Sequence, residues 1–151
     1  MIIRQAKTSD AEAINELISR YAELDKMLFR SMASIYELIQ TFAVAEEDGR
    51  VLGCGALSVV WKDLAEIKSL AVAEGCQGKG IGRSIVEFCL EKARSLGIKD
   101  VFALTLEPQF FEKLGFHRVN RLELPMKVWS DCAMCPKQDN CDEIALVISL
   151  K

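Results

Sequence analysis

Two charged side chains, Glu66 and Lys68, lie within an apolar run that has the alternation of a β-strand. The run is L-A-E-I-K-S-L-A-V at 64–72, and every second residue of a strand shares one face. A strand of this kind would place the carboxylate and the ammonium beside Leu70 and Val72, as the floor of an active site. Glu66 could take a proton from an amine, directly or through water. The alternative is a surface carboxylate or one held in an ion pair.

A glycine-rich turn, G-C-Q-G-K-G-I-G at 75–82, follows this strand. Glycines let the backbone approach a ligand closely, and the first N–H groups of a helix have no helical partner. These features favour a bound phosphate, with Lys79 and Arg83 adding positive charge. The alternative is a loop that only needs positive φ angles. The spacing differs from the motifs of nucleoside triphosphate and dinucleotide sites, so we expect neither ligand.

The surrounding sequence predicts the elements that position these residues. Apolar residues return at helical spacing after Gly80, and Gly97 ends that helix. Asp48-Gly49 between two apolar runs is typical of a β-hairpin. The predicted order is β-α-α-β-β-β-α-β-α-β-β, which implies the α/β class: a central mixed sheet with helices on both faces. The first helix is predicted at about 10–23 with a capping box from Ser9 to Glu12. The second is predicted to carry Ile35, Leu38, Ile39 and Phe42, and the hairpin strands are predicted at 42–46 and 51–60.

Composition limits the class of protein. The chain has 151 residues, of which 50% are hydrophobic, and this predicts one domain over 1–151 with its own core. The net charge of −3 argues against nucleic acid or an anionic membrane as the main partner. Because there is no signal peptide and no long apolar run, we expect a cytoplasmic protein. Its six cysteines are then expected to be thiols, with Cys54 and Cys89 as small core residues.

Three separated motifs resemble those of the GNAT superfamily of acyl-CoA-dependent N-acyltransferases. They are L-A-V at 70–72, Q-G-K-G-I-G at 77–82 and F-E-K-L-G-F at 111–116. The resemblance implies a GNAT fold whose sheet splays open beside the central strand, with the pantetheine arm of acetyl-CoA in the gap. It also implies that backbone N–H groups near 70–72 stabilise the developing oxyanion. The cofactor contacts it implies are Leu70, Ala71, Val72, Gln77, Gly78, Lys79, Gly80, Ile81, Gly82, Arg83 and Phe111.

The general acid of many family members is missing from its usual place. Those enzymes have a tyrosine where this chain has Phe111, which has no proton to donate. We regard Thr105 or a water molecule as the candidate replacement. A dedicated acid is dispensable if the thiolate of CoA is a tolerable leaving group, with a thiol pKa of roughly 8.5. The two tyrosines of the chain, Tyr21 and Tyr36, fit core or pocket-wall positions on helices.

A further set of segments resembles the acetyltransferase domain of N-acetylglutamate synthases, in particular their short, single-domain bacterial form. These segments lie at 42–49, 53–57, 66–72, 102–105, 110–116 and 124–129. The resemblance implies transfer of the acetyl group of acetyl-CoA to the α-amine of L-glutamate by direct attack in a ternary complex, as used in arginine biosynthesis.

A pocket for glutamate needs at least two cations, because glutamate carries two carboxylates. Arg30, followed by Ser31 in L-F-R-S, matches an arginine of the family. Lys68 is the second candidate, because it is expected on the face of Glu66, and Lys127 is the third. The alternative for each is a solvated surface charge.

Three C-terminal cysteines, Cys132, Cys135 and Cys141, have the spacing of half a structural zinc site. No fourth ligand is evident, although His117, Asp131, Asp139 or Asp142 could complete the site, and three thiols could instead hold a loop together. We therefore expect no metal.

Two other interpretations stay open at this point. The chain could be a GNAT enzyme that acetylates another small amine or amino acid, because the fold determines the cofactor and the pocket determines the acceptor. It could also be a non-catalytic acyl-CoA-binding sensor, which the missing tyrosine and the cysteine cluster suggest. A homodimer through the terminal strands is a candidate assembly for either.

Overall fold

The computed structural model describes residues 1–24, 26–27, 29–120, 122, 124 and 143–150. Within these residues the chain forms seven β-strands and four α-helices. They are β1 (Ile2–Gln5), α1 (Ala11–Glu23), α2 (Met32–Glu37), β2 (Phe42–Glu47), β3 (Arg50–Trp61), β4 (Leu64–Val72), α3 (Ile81–Ser95), β5 (Asp100–Thr105), α4 (Pro108–Glu112), β6 (His117–Val119) and β7 (Ile144–Ser149). The predicted order of elements is confirmed.

All seven strands form one sheet, in the order β1-β2-β3-β4-β5-β7-β6. Only the β4–β5 pair is parallel among the described pairings, and α3 provides the long connection that a parallel pair requires. The predicted hairpin between β2 and β3 is present, with positive φ angles at both Asp48 and Gly49. The sheet is therefore mixed, as predicted.

Helices cover both faces of the sheet. On the first, called here the α3 face, α3 and α4 pack against Ile67, Val101 and Leu146. On the second, called the α1 face, α1 and α2 pack against Val44 and Cys54. The helices on both faces were predicted from their apolar periodicity.

The start of α1 differs from the prediction. We predicted a capping box from Ser9 to Glu12, but the capping carboxylate is that of Asp10, which closes the 3-10 turn Thr8–Asp10 before α1 by accepting a hydrogen bond from the backbone N–H of Lys7 at 2.7 Å. The same carboxylate, buried at 6% exposure, accepts two hydrogen bonds from Arg4 at 2.8 and 3.0 Å. Burial of Asp10 is therefore balanced by an opposite charge rather than by helix capping alone.

The second helix is shorter than predicted. It ends at Glu37, and Phe42, which the sequence placed both on the helix and at the start of a hairpin strand, begins β2. The side chain of Phe42 is 2% exposed in the cluster of the α1 face. Burial of this large ring in the sheet outweighs its helical spacing in the sequence.

We predict that the Arg4–Asp10 pair stabilises the fold at neutral pH and loses this effect in acid. The hydrogen bonds from Arg4 hold the pKa of Asp10 below its ordinary 3.8. Its contribution is therefore complete above the unfolded pKa and is lost as the pH falls through the folded pKa. Asp10→Asn should lower the free energy of unfolding by roughly 1–3 kcal/mol at pH 7 and by less at pH 3.

Urea denaturation followed by circular dichroism at the two pH values measures this difference. Glu23→Gln, which changes an exposed carboxylate at the other end of α1, is the control and should have an effect within about 0.5 kcal/mol. A penalty for Asp10→Asn that is the same at pH 3 and pH 7 would contradict the prediction.

Candidate active site

The parallel strands β4 and β5 pair at their beginnings and then separate. Their paired residues are Leu64 with Asp100, Ala65 with Val101 and Glu66 with Phe102, and no later pair joins the two strands, both of which are fully described. Beyond this point β4 stays with β3 and β5 stays with β7. The resulting opening, called here the β4–β5 gap, is the splayed sheet that the resemblance implied. Its edge is the backbone of 67–72.

A β-bulge at Ser69 shapes this edge. Ala56 pairs with Lys68 and Cys54 with Ala71, so β4 has one residue more than β3 between these pairs. Ser69 has a φ angle of +56°, and its carbonyl accepts a hydrogen bond from the Cys54 thiol at 3.5 Å. Burial raises the pKa of the Cys54 thiol to about 12, so the thiol keeps the proton that it donates.

The bulge changes which side chains share a face of β4. We predicted that Glu66, Lys68, Leu70 and Val72 lie on one face, and this is wrong. Glu66 and Lys68 lie on the α1 face, because they alternate with Ala65 and Ile67 of the α3 cluster. Leu70 and Val72 pack against the α3 cluster, since the extra residue at the bulge reverses the alternation.

Glu66 is buried where the gap begins. Its side chain is 9% exposed, and it lies between Ser58 of β3 and Phe102 of β5 in the pairing register. Asp10 and Glu66 are the two buried charged residues in the described part of the chain, and Arg4 explains the burial of Asp10. Glu66 is therefore the buried carboxylate at the gap, and Lys68 is half-buried on the same face.

Thr105 lies on the opposite face of the sheet from Glu66. It pairs with Ile144, whose side chain packs against the α3 cluster. The Thr105 hydroxyl accepts a hydrogen bond from the backbone N–H of Glu107 at 2.9 Å. The two residues that we predicted to be catalytic are thus not brought together on one face, and the role of Thr105 stays a prediction.

The glycine-rich turn joins the end of β4 to α3. Gly78 and Gly80 have φ angles of +80° and +82°, and no described atom lies within 4 Å of a Cβ built at either position. The backbone conformation, rather than a close neighbour, therefore requires glycine there. Helix α3 begins at Ile81, which leaves the N–H groups of its first turn directed towards the turn. Lys79 is exposed, and the Arg83 guanidinium is hydrogen-bonded to Glu87 at 2.8 Å.

Two glycines of β3 determine how closely α3 approaches the sheet. A Cβ at Gly55 would lie 2.7 Å from Cγ2 of Ile85, and one at Gly53 would lie 2.9 Å from Cγ2 of Ile81. Real Cβ atoms do not tolerate such distances. The start of α3, and with it the glycine-rich turn, is therefore held against β3 by contacts that only glycine permits.

The other side of the α3 start is held by the aromatic residues of α4. A Cβ at Gly82 would lie 3.2 Å from the ring of Phe110. Phe111 is 4% exposed, and its ring packs edge-on against those of Phe110 and Phe116. Phe110 is thus the aromatic residue that touches the turn, a position that the sequence analysis missed. A contact of Phe111 with the cofactor stays a prediction.

Tyr21, at the last turn of α1, reaches the edge of β4 in the gap. Its hydroxyl donates to the carbonyl oxygen of Val72 at 3.0 Å and accepts from the Val72 N–H at 3.4 Å. It also accepts a hydrogen bond from the amide of Gln77 at 2.9 Å. We expected a core or pocket-wall residue, and apolar periodicity gave no sign that the hydroxyl would join the strand to the turn.

The segment that contains Arg30 and Ser31 is anchored to both helices of the α1 face. The side-chain amide of Asn15 donates to the Arg30 carbonyl at 3.1 Å, and the Ser31 hydroxyl caps α2 by accepting from the N–H of Ser34 at 3.1 Å. Because α2 packs on the α1 face, this segment is on the same side of the sheet as Lys68.

The predicted residues Lys127, Cys132, Cys135 and Cys141 lie outside the described residues. Within the described ranges, no group of three or more His, Cys, Asp or Glu side chains could hold a metal ion. In the same ranges, no helix is long and apolar enough to cross a membrane.

Comparison with known proteins identifies the family of this site. The model of the Acetyltransferase (GNAT) family matches residues 10–116. The N-acetyltransferase CT2212 of Chlorobaculum tepidum is 43% identical over 98% of this chain and 96% of its own length. The amino-acid acetyltransferase of Mycobacterium tuberculosis is 40% identical over 91% of this chain and 79% of its own length. The chain belongs to the GNAT family and is an acetyltransferase.

Two solved structures share the whole fold. Rv2747 of Mycobacterium tuberculosis, solved in complex with CoA, has a TM-score of 0.88 at 33% identity, and the match covers 100% of both chains. The N-acetylglutamate synthase of Neisseria gonorrhoeae, complexed with coenzyme A and N-acetyl-glutamate, has a TM-score of 0.89 at 32% identity. This match covers 99% of the present chain and 35% of the larger one. The predicted GNAT fold is confirmed.

We predict that Ser69 tolerates glycine and not a β-branched residue, because its φ angle is positive. Ser69→Val should lower the free energy of unfolding by about 1–3 kcal/mol, whereas Ser69→Gly should change it by less than about 1 kcal/mol. Thermal and urea denaturation measure the stability of both variants. Because both variants lack the serine hydroxyl, its loss does not contribute to the difference between them. Equal stability of the two variants would mean that the bulge conformation is not maintained.

Proposed function

We propose that this acetyltransferase moves the acetyl group of acetyl-CoA to the α-amine of L-glutamate. The observation that carries the proposal is that nearly the whole of this chain matches two proteins solved with CoA, one along its full length and the other over 35% of its larger chain, which also holds N-acetyl-glutamate. The amino-acid acetyltransferase relative at 40% identity supports the same acceptor class. Within the described residues, the buried carboxylate and the two cationic candidates are compatible with it.

The reaction is a direct transfer with both substrates bound. The deprotonated α-amine attacks the thioester carbonyl, a C–N bond forms, and the C–S bond breaks to release the CoA thiolate. Backbone N–H groups of β4 near Leu70 stabilise the negative charge that develops on the carbonyl oxygen, which leaves the N–H of Val72 to the pantetheine arm. This role suits the edge of β4, where β5 no longer provides strand partners in the described pairing.

Glu66 is the proposed base. A carboxylate buried beside the gap can accept the proton that the α-amine loses, directly or through one water molecule. Lys68 lies on the same face, two residues further along β4 and before the bulge. Because Phe111 cannot donate a proton, the thiolate takes its proton from water or from Thr105.

Recognition of glutamate is assigned to cations on the α1 face. Arg30 and Lys68 are proposed to bind the two carboxylates, with Ser31 beside them and Lys127 as a third candidate. The Asn15 side chain binds the Arg30 carbonyl, and the Ser31 hydroxyl accepts from the N–H of Ser34 at the start of α2. These two hydrogen bonds fix the backbone at Arg30 and Ser31. A backbone fixed in this way lowers the entropy lost when the arginine binds a carboxylate.

The cofactor is assigned to the gap and the glycine-rich turn. Its pantetheine arm is proposed to lie along Leu70 to Val72, and its pyrophosphate against the N–H groups from Gln77 to Gly82 and the start of α3 at Ile81. Lys79 is exposed at this turn and available to a phosphate, whereas Arg83 would have to leave Glu87.

Location and assembly are proposed from the sequence. A cytoplasmic location is proposed from the overall composition, and a homodimer rests on the edge strands β1 and β6. Size-exclusion chromatography with light scattering tests the assembly.

We predict that Glu66→Gln lowers kcat by 10²–10⁴-fold, roughly the range for loss of a general base, with little change in CoA affinity. Steady-state thiol release and calorimetric CoA binding provide the two readouts. Glu47→Gln, an exposed carboxylate at the end of β2, is the control and should keep wild-type kcat. A kcat within about threefold of wild type for Glu66→Gln would rule out Glu66 as the base.

We predict that glutamate is preferred over other acceptors and that Arg30 and Lys68 determine this preference. Thiol release from acetyl-CoA is measured across a panel of free amino acids and polyamines. Arg30→Met and Lys68→Met should each raise the KM for glutamate by roughly 10–100-fold, because one carboxylate loses its charged partner, and should leave the KM for acetyl-CoA nearly unchanged. Lys62→Met, in the exposed turn before β4, is the matched control.

The outcomes separate the competing functions. Activity on a different amine would reject glutamate and retain the family chemistry. CoA binding without turnover on any amine would favour the acyl-CoA sensor that the missing tyrosine suggests.

A further inference from the structure

The Tyr21 hydroxyl lies at the edge of β4 and uses all of its hydrogen-bonding capacity there. It donates its proton to the Val72 carbonyl and accepts from the Val72 N–H and from Gln77. A phenol has one proton to donate and two acceptor positions, so these three contacts saturate it. No comparable link joins another α1 side chain to both β4 and the turn among the described hydrogen bonds.

The two Val72 groups face the gap. The N–H of Ala73 donates to the carbonyl of Leu52 in β3 at 2.8 Å, so the N–H and carbonyl of the preceding residue, Val72, are directed away from β3. That direction is the β5 side, where the pairing between β4 and β5 has already ended. Val72 therefore presents one donor and one acceptor to whatever lies in the gap.

A secondary amide can make the same two hydrogen bonds to Val72 as the Tyr21 hydroxyl, because it also has one donor and one acceptor. An extended chain beside a strand edge accepts from the edge N–H through its carbonyl and donates to the edge carbonyl through its own N–H. The pantetheine arm of CoA carries two such amides. Because the Val72 N–H has a single hydrogen, it cannot serve the tyrosine and an amide of the arm at full strength together.

We propose that Tyr21 competes with a pantetheine amide for Val72, so that cofactor binding displaces the Tyr21 hydroxyl from the strand edge. This inference rests on the proposed function only in taking CoA as the ligand of the gap. Displacement also breaks the bond from Gln77 to Tyr21. The bound arm thereby removes the hydrogen bond between the last turn of α1 and the glycine-rich turn, while the ion pair of Arg20 with Glu74, just before that turn, can stay in place.

The test is the affinity of Tyr21→Phe for two ligands. Removal of the hydroxyl removes a competitor, so the Kd for CoA should fall roughly three- to tenfold, the equivalent of one net hydrogen bond. The Kd for 3′,5′-ADP, which has the nucleotide end of CoA and no pantetheine, should stay within about twofold of wild type. Isothermal titration calorimetry measures both.

Other results would overturn the proposal. An unchanged or higher Kd for CoA would mean that Tyr21 does not compete with the arm. An equal change for both ligands would mean that Tyr21 acts through the shape of the glycine-rich turn. Tyr36→Phe, which removes the hydroxyl of a 46% exposed tyrosine in α2, is the matched control and should leave both Kd values unchanged.

A second measurement does not depend on the stability of Tyr21→Phe. The chain has two tyrosines, so Tyr36→Phe protein labelled with ζ-¹³C tyrosine gives one signal, that of Tyr21. This signal should shift on saturation with CoA and stay in place with 3′,5′-ADP. A signal unmoved by CoA would reject displacement. If the protein binds CoA but acetylates an amine other than glutamate, glutamate is rejected as the acceptor. The two Kd values and the tyrosine signal still show whether CoA displaces Tyr21.

Discussion

The separation of β4 from β5 just after Glu66 is the constraint on which the site depends. Inside a sheet, the N–H and carbonyl groups of a strand are normally used by its two neighbours. Here β5 keeps its pairing with β7 up to Thr105, and β4 keeps its pairing with β3 up to Val72. Each strand is thus held on one side only, and the gap between them offers a row of backbone groups to an extended ligand without any unfolding of the sheet.

The bulge at Ser69 divides β4 into two functional halves. Before the bulge, Glu66 and Lys68 place charge on the face covered by α1 and α2. After it, Leu70 and Val72 bind the strand to the apolar cluster beneath α3. A regular strand would have directed all four side chains to one face and left the start of α3 without this support. The Cys54 thiol, kept protonated by burial, satisfies the carbonyl that the bulge removes from the ladder.

Much of this architecture could be predicted from periodicity, but its irregularities could not. Alternation in 64–72 predicted β4, and the glycines after Gly75 predicted the turn before α3. The same alternation assigned Leu70 to the wrong face, because nothing in Lys68-Ser69-Leu70 indicates a positive φ at serine. The burial of Asp10 depends on its pairing with Arg4, and the sequence pattern gave no sign that the Arg4 side chain of β1 would reach residue 10. Tyr21 has the spacing of a core residue, and only the tertiary structure shows which groups its hydroxyl contacts.

Helix α1 connects the two substrates in this arrangement. Near its middle, Asn15 holds the carbonyl of Arg30, on the side proposed for the acceptor. At its last turn, Tyr21 holds Val72 and Gln77, on the side proposed for the cofactor. The interior of α1 is fixed by Ile14 and Ile18, both fully buried against the sheet, so the helix moves as a unit or not at all. A change at the Tyr21 end is therefore absorbed by rotation of the tyrosine side chain about the fixed helix.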